Sequence, residues 1–141
     1  MTISVLIYYT RRPEVTPEYF QTYMEESHAP LIKEVFTEHS PLSFTMRYVT
    51  RVSTGMGDRL GAVTSSTTKA DPNSAVVLVG EPADITWDAL CEMQFRDELH
   101  IQQCLAVMNE PAGQRIKDDE ETFALTEKTT ALIVGETKVM V

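Results

Sequence analysis

The first apolar block, "ISVLIYY" at residues 3–9, has almost no polar interruption. β-Branched and aromatic residues on both parities predict a strand covered on both faces. A polar loop containing Pro13 follows. Thr16 then stands as an N-cap ahead of Pro17 at the first helical position, a strong helix start. Beyond it the period becomes helical: Phe20, Met24, Leu31 and Val35 fall on one stripe, with His28 among them. Pro30 lacks a donor N–H and clashes with the carbonyl one turn back, so the helix is predicted in two pieces, 17–27 and 30–37.

Alternation returns in "LSFTMRYVTRV", 42–52, where Leu42, Phe44, Met46 and Tyr48 share one face and Ser43, Thr45 and Arg47 the other. Residues 53–73 are rich in Gly, Ser and Thr without a period and predict a long mobile loop, functional or disordered. "SAVVLVG", 74–80, reads as an irregular edge strand. In "TWDALCEMQFRD", 86–97, the third full strand, Trp87, Ala89, Cys91, Met93 and Phe95 share a face opposite Asp88 and Glu92. Asp97 caps a helix carrying Ile101, Cys104, Leu105 and Met108, and Pro111 restarts a helical piece to about Leu125. "TALIVGETKVMV", 130–141, is a final strand.

This order is the split arrangement of an α+β, ferredoxin-like fold, β-α-β-β-α-β: four antiparallel strands and two helices on one face, in a single domain over residues 1–141. The first and last strands are apolar on both parities, so the far face of the sheet needs cover too. A second copy packing sheet to sheet would supply it, and a homodimer is expected.

Composition narrows the function classes. Twenty-one acidic residues against twelve basic give a net charge of −9 with no basic stripe, which argues against nucleic acid and anionic membrane surfaces as partners. No apolar run approaches the ~20 residues of a membrane span. The N-terminus lacks the basic region of a signal peptide, and two cysteines form no disulfide framework or zinc-like pattern, so a cytoplasmic, reducing location without a bound metal is expected. There is no glycine-rich nucleotide loop, no nucleophile elbow and no metal-spaced histidine pair. Without a cofactor signature, the accessible chemistry is proton transfer, elimination, decarboxylation or ring closure on an activated molecule.

His28 is the leading candidate for that chemistry, since an imidazole titrates near pH ~6.5 and serves as acid or base. Its helical phase points inward beside the backbone gap at Pro30; it either faces a pocket or bonds the carbonyl that Pro30 frees. His39 and His100 are weaker candidates. Tyr8 and Tyr9 at the end of the first strand, and Tyr23 before His28, are core aromatics or partners for a phenolic ligand. Arg47 pairs with Asp88 or Glu92, or receives a substrate carboxylate. Asp88 and Glu92 stand roughly 13 Å apart along a strand, too far for a carboxylate dyad. Met24, Leu31, Trp87, Met93 and Phe95 are core or pocket lining. Asp118–Glu121 reads as a solvated helix face, and the cysteines as inert packing.

"YMEESHAPL" within residues 3–35, together with "FTMRYVTR", "GEPADITWDALCEMQFRD" and "DEETF", resembles the EthD-type members of the dimeric α+β barrel superfamily. The resemblance implies a ferredoxin-like monomer, sheet-to-sheet dimerisation and a ligand pocket between sheet and helices, lined by the histidine of the H-x-P motif, here His28. It is nearest to fungal members of aromatic polyketide pathways, which include cofactor-free decarboxylases of anthrone-type acids, dehydratases and cyclases. The expectation is a cofactor-independent lyase or cyclase acting on an aromatic polyketide-type intermediate of secondary metabolism. His28, Tyr23 and Arg47 would carry the chemistry, and Tyr8, Tyr9, Met24, Leu31, Trp87, Phe95 and Asp88 would contact substrate. The alternatives are a cofactor-free, O₂-dependent monooxygenase of anthrone-like phenols and a non-catalytic small-molecule binding module.

Overall fold

The computed structural model describes residues 2–62, 64, 71–135 and 137–141. Strands β1 (Ile3–Tyr9), β2 (Ser43–Tyr48), β3 (Ala89–Phe95) and β4 (Thr130–Val134) form one antiparallel sheet in the order β2-β3-β1-β4. This is the expected ferredoxin-like order, with β1 and β3 central and Tyr9 opposite Ala89. The main helices, α1 (Pro17–Tyr23), α2 (Ala29–Phe36), α4 (Glu98–Met108) and α5 (Pro111–Glu121), cover one face; a single helical turn, α3 (Met56–Arg59), lies in the connection after β2. Alternation along β1 and β3 sends Val5, Ile7, Tyr9, Met93 and Phe95 toward the helices. There they join Phe20, Met24, Ile32, Phe36, Ile116 and Phe123 in one core. No helix among the described residues is long and apolar enough to cross a membrane.

The two predicted α-helical pieces are present as α1 and α2, but a π turn joins them where a break or kink at Pro30 was expected. Thr16 caps α1 as expected, its side chain accepting from the Tyr19 N–H at 3.1 Å. Between α1 and α2 the chain widens into a π-helical turn, Met24–His28, in which the Ala29 N–H reaches back five residues to the Met24 carbonyl. Pro30 thus sits in the first turn of α2, where a missing N–H is tolerated. The extra residue shifts the apolar stripe by one: Ile32 is buried where Leu31 was expected, and Leu31 is half-buried at its flank.

Other elements are shorter than predicted, among them β2 and β3, which run Ser43–Tyr48 and Ala89–Phe95 rather than 42–52 and 86–97. β4 stops at Val134, because its partner there is Ser4 and β1 has one residue left; Val139–Val141 are exposed. α5 ends at Glu121, after which Phe123 and Ala124 turn into the core and Leu125 donates to the Thr10 carbonyl at 2.8 Å. The 74–80 segment forms no strand; it touches the chain through the Arg51–Ala75 bridge, and Val79 is 93% exposed. The predicted 53–73 loop holds α3 and a 3₁₀ turn at Val52–Thr54, while its residues 63 and 65–70 lie outside the described residues.

One buried histidine is satisfied structurally. His100 accepts the Arg96 N–H at its Nδ1 (3.0 Å) and donates from Nε2 to the His39 carbonyl (3.0 Å). Burial pushes the Cys91 and Cys104 thiols up to about 12 and about 11, which keeps both unreactive. At Gly113 the turn from α4 into α5 is so close that an added Cβ would stand 2.4 Å from the Met108 carbonyl oxygen.

Candidate functional site

Between the sheet and α4–α5 lies a cavity of about 230 Å³. Its wall is apolar, drawn from Val5, Ile7, Met93, Phe95, Ile101 and Ile116 among others; apart from the Cys104 thiol, Tyr9 and Glu120 supply its only polar side chains among the described residues. It opens between α4 and β4, where Leu105 and Ala131 of the lining are exposed. A larger groove of about 470 Å³ runs along α2 and β2, with Glu25 and Lys33 in its wall. Another, about 580 Å³, lies beside Trp87. Both are wider and more open, and neither contains a charged group held in the core.

Glu120 enters the cavity because it continues the buried stripe of α5, four residues after Ile116 and three before Phe123. Behind it, fully removed from solvent at 0% exposure, lies His28. The imidazole bridges two carboxylates: Nδ1 is 2.7 Å from Asp119 Oδ2, and Nε2 is 3.2 Å from Glu120 Oε1. The Tyr23 hydroxyl donates to the other Asp119 oxygen at 2.6 Å. Phe123 packs edge-on to the imidazole with centroids 5.0 Å apart. Tyr9, 1% exposed, lines the cavity together with Glu120. The result is a hydrogen-bonded line, Tyr23–Asp119–His28–Glu120, that ends at the cavity, where Tyr9 also lies.

The π turn explains how one carboxylate serves two side chains. In an α-helix, residues five apart differ by about 140° around the axis. Tyr23 and His28 are five apart, and the wider turn brings both to the face that meets α5. Turns of this kind recur at functional sites.

Electrostatics follow from this arrangement. Burial would lower His28, but its bonds to Glu120 and Asp119 and their charges prevail, and the imidazole is raised above its ordinary value. Tyr9 is raised well above a free phenol, first by burial and then by the Glu120 charge. Tyr23 is raised chiefly by its bond to Asp119. The cluster holds two carboxylates for one cation, and among the described residues the cavity wall has no lysine or arginine. A proton bound at Glu120 is thus backed by an imidazole, and a phenol stands beside it to donate to a nearby oxygen.

The sequence candidates divide into three groups. Tyr9 and Phe95 line the cavity; His28 and Tyr23 stand behind it, joined through Asp119. His28 is bonded to carboxylates, not to a backbone carbonyl freed by Pro30. Met24 is core, and Leu31 packs at the edge of the core. Tyr8 and Trp87 are elsewhere: they pack edge-on, centroids 5.1 Å apart, beside the open groove on the sheet face away from the helices. Arg47 is also on that face, its side chain 59% exposed and 3.9 Å from Glu92. Asp88 is occupied structurally, accepting the Arg11 backbone N–H at 2.6 Å and bonding the Arg51 guanidinium. The reading of Asp118–Glu121 as a solvated face is corrected: Asp118 and Glu121 are exposed, whereas Asp119 and Glu120 turn inward to His28. The overlooked signal is the spacing Gly113, Ile116, Glu120, Phe123, which places one carboxylate of the run on the buried stripe.

The comparisons agree with this architecture. The family model described as the EthD domain matches residues 12–127. No curated protein matches the chain by sequence. Among solved structures, an ethyl tert-butyl ether d (EthD) family protein from Bacillus halodurans is 19% identical, aligns over 97% of this chain and 100% of its own, and has a TM-score of 0.56. A protein from Arabidopsis thaliana is 10% identical over 99% of both chains, with a TM-score of 0.57. SnoaB, a cofactor-independent oxygenase from Streptomyces nogalater, is 7% identical over 99% of this chain and 96% of its own, with a TM-score of 0.53. These likenesses establish a shared fold, and the family match over most of the sequence establishes descent: the chain belongs to the EthD domain family.

Proposed function

We propose that the protein is a cofactor-independent lyase or cyclase acting by proton transfer on a small aromatic, polyketide-type molecule bound in the cavity between sheet and helices. The observation that carries this reading is the Glu120 carboxylate at the wall of an apolar cavity, backed by the buried His28. A general base needs the right protonation state and hydrogen-bond reach to its proton, and a base in an apolar cavity has little water competing for it. In this mechanism Glu120 takes a proton from an acidic C–H beside a substrate carbonyl and becomes the carboxylic acid. The Tyr9 hydroxyl donates to the oxygen on which charge collects. In dehydration the proton passes to the departing hydroxyl, which leaves as water. In ring closure the enolate carbon attacks a second carbonyl, and the new alkoxide takes the proton. In decarboxylation the C–C bond electrons enter the enol as CO₂ leaves, and the acid form of Glu120 protonates carbon. His28 stabilises the carboxylate throughout, and Asp119 with Tyr23 fixes the imidazole.

SnoaB supports a second reading, since its described activity is cofactor-independent oxygenation and its fold is shared. There the same base would deprotonate a phenol or anthrone, and the substrate anion would reduce O₂ directly. Turnover of hydroxylated aromatic ketones and keto acids, followed by mass spectrometry with and without O₂, separates the two. Loss of water or CO₂ under argon supports the lyase; product formed only in O₂, carrying added oxygen, overturns it.

A further inference from the structure

Resting on the cavity as the substrate site, we infer that it selects a substrate that is electrically neutral at its buried end, a phenol, ketone or amide-like group of a one- or two-ring molecule, and rejects a carboxylate there. Volume sets the size of the ligand. A cavity of about 150 Å³ suffices for benzene, and drug-sized pockets begin near ~300 Å³. At about 230 Å³ this one suits one or two fused rings. Charge decides what the rings carry. The buried end presents Glu120 and Tyr9, and among the described residues the wall holds no cation to pair with a second anion. His28 lies behind Glu120, but its two nitrogens are already engaged by Asp119 and Glu120 and it has no exposed surface.

A second carboxylate would face Glu120 across an apolar medium, where like charges at contact distance repel strongly and neither is solvated. A neutral hydroxyl meets the opposite situation: it donates to Glu120 and accepts from Tyr9, which satisfies both buried groups at once. Within the proposed chemistry this favours dehydration and ring closure, and disfavours decarboxylation of an acid whose carboxylate must enter the cavity.

The test is equilibrium binding at pH 7.5 of 2-naphthol, 2-naphthamide and 2-naphthoate. Ordinary carboxyls are ionised and phenols neutral at this pH. Naphthol and naphthamide are expected to bind within about threefold of each other and naphthoate at least tenfold more weakly, the tenfold corresponding to about 1.4 kcal/mol. In Glu120→Gln the naphthoate penalty is expected to fall below threefold; the amide comparison on the unaltered protein keeps the test intact should that variant misfold. Equal binding of naphthoate and naphthamide, a penalty that survives Glu120→Gln, or binding of none of the three overturns the inference. Turnover is a separate readout. Catalysis without charge selection sinks only this inference, whereas charge selection without catalysis on any accepted aromatic sinks the enzymatic reading and leaves a neutral-ligand site.

Discussion

His28 is held between two carboxylates with both ring nitrogens engaged, so its proton belongs to the fold as much as to any reaction. Its folded value lies above the ordinary ~6.5 that it returns to on unfolding. The folded state therefore binds this proton more tightly. The stabilisation is full below pH ~6.5 and is lost as pH rises through the folded value. Denaturant titrations of the native protein and His28→Gln from pH 6 to 9 should show their stability difference shrinking with increasing pH; a constant difference contradicts the pairing. At the same scale, Glu120→Gln should lower kcat by about 10²-fold or more while the fold persists, the usual contribution of a general acid–base group. The histidine was readable in the sequence because it interrupts an apolar stripe beside a proline. Glu120 was not, because "DDEE" looks solvated unless its phase against Ile116 and Phe123 is taken first.

At the scale of elements, the π turn is the feature that assembles the cluster. A sequence rule for proline predicts a break; it does not predict that one extra residue per turn absorbs the missing donor and rephases both flanking helices. Tyr23→Phe should remove the hydrogen bond to Asp119 that the turn brings within reach, leaving that carboxylate one partner short. The expected cost is about 1–3 kcal/mol in urea unfolding, and an unchanged midpoint would contradict this role for the turn. The α4–α5 corner makes a sharper test. Gly113→Ala drives a methyl into the Met108 backbone and should cost roughly 1–3 kcal/mol, whereas Gly135→Ala, with open space around it, should lie within about 0.5 kcal/mol of the parent. Strand alternation in β2 and β3 was legible because a period of two survives any tertiary context. The ends of β4 and α5 were not, because they depend on how much partner remains to pair with.

For the whole molecule, the ferredoxin-like order could be read from the succession of periods, and the split β-α-β pattern leaves few alternatives. The placement of Tyr8 and Arg47 away from the cavity could not, since it depends on which face the helices cover; Trp87 and Asp88 precede β3, so the alternation that put Trp87 on the Ala89 face does not reach them. That far face carries Leu6, Tyr8 and Leu90, continued on β4 by Leu132 and Val134. We propose that a second copy covers it. Light scattering after size exclusion should give a dimer at micromolar concentration and a monomer for Leu132→Asp; a monomeric parent protein contradicts the proposal.

The central claim is that substrate meets the protein at Glu120, in the cavity between sheet and helices. A crystal structure of the protein soaked with 2-naphthol tests it most directly. The naphthol ring should lie among Val5, Ile7, Met93 and Ile116, with its hydroxyl within hydrogen-bonding distance of both Glu120 and Tyr9. A ring bound instead against Tyr8 and Trp87, or anywhere that leaves Glu120 untouched, contradicts the account.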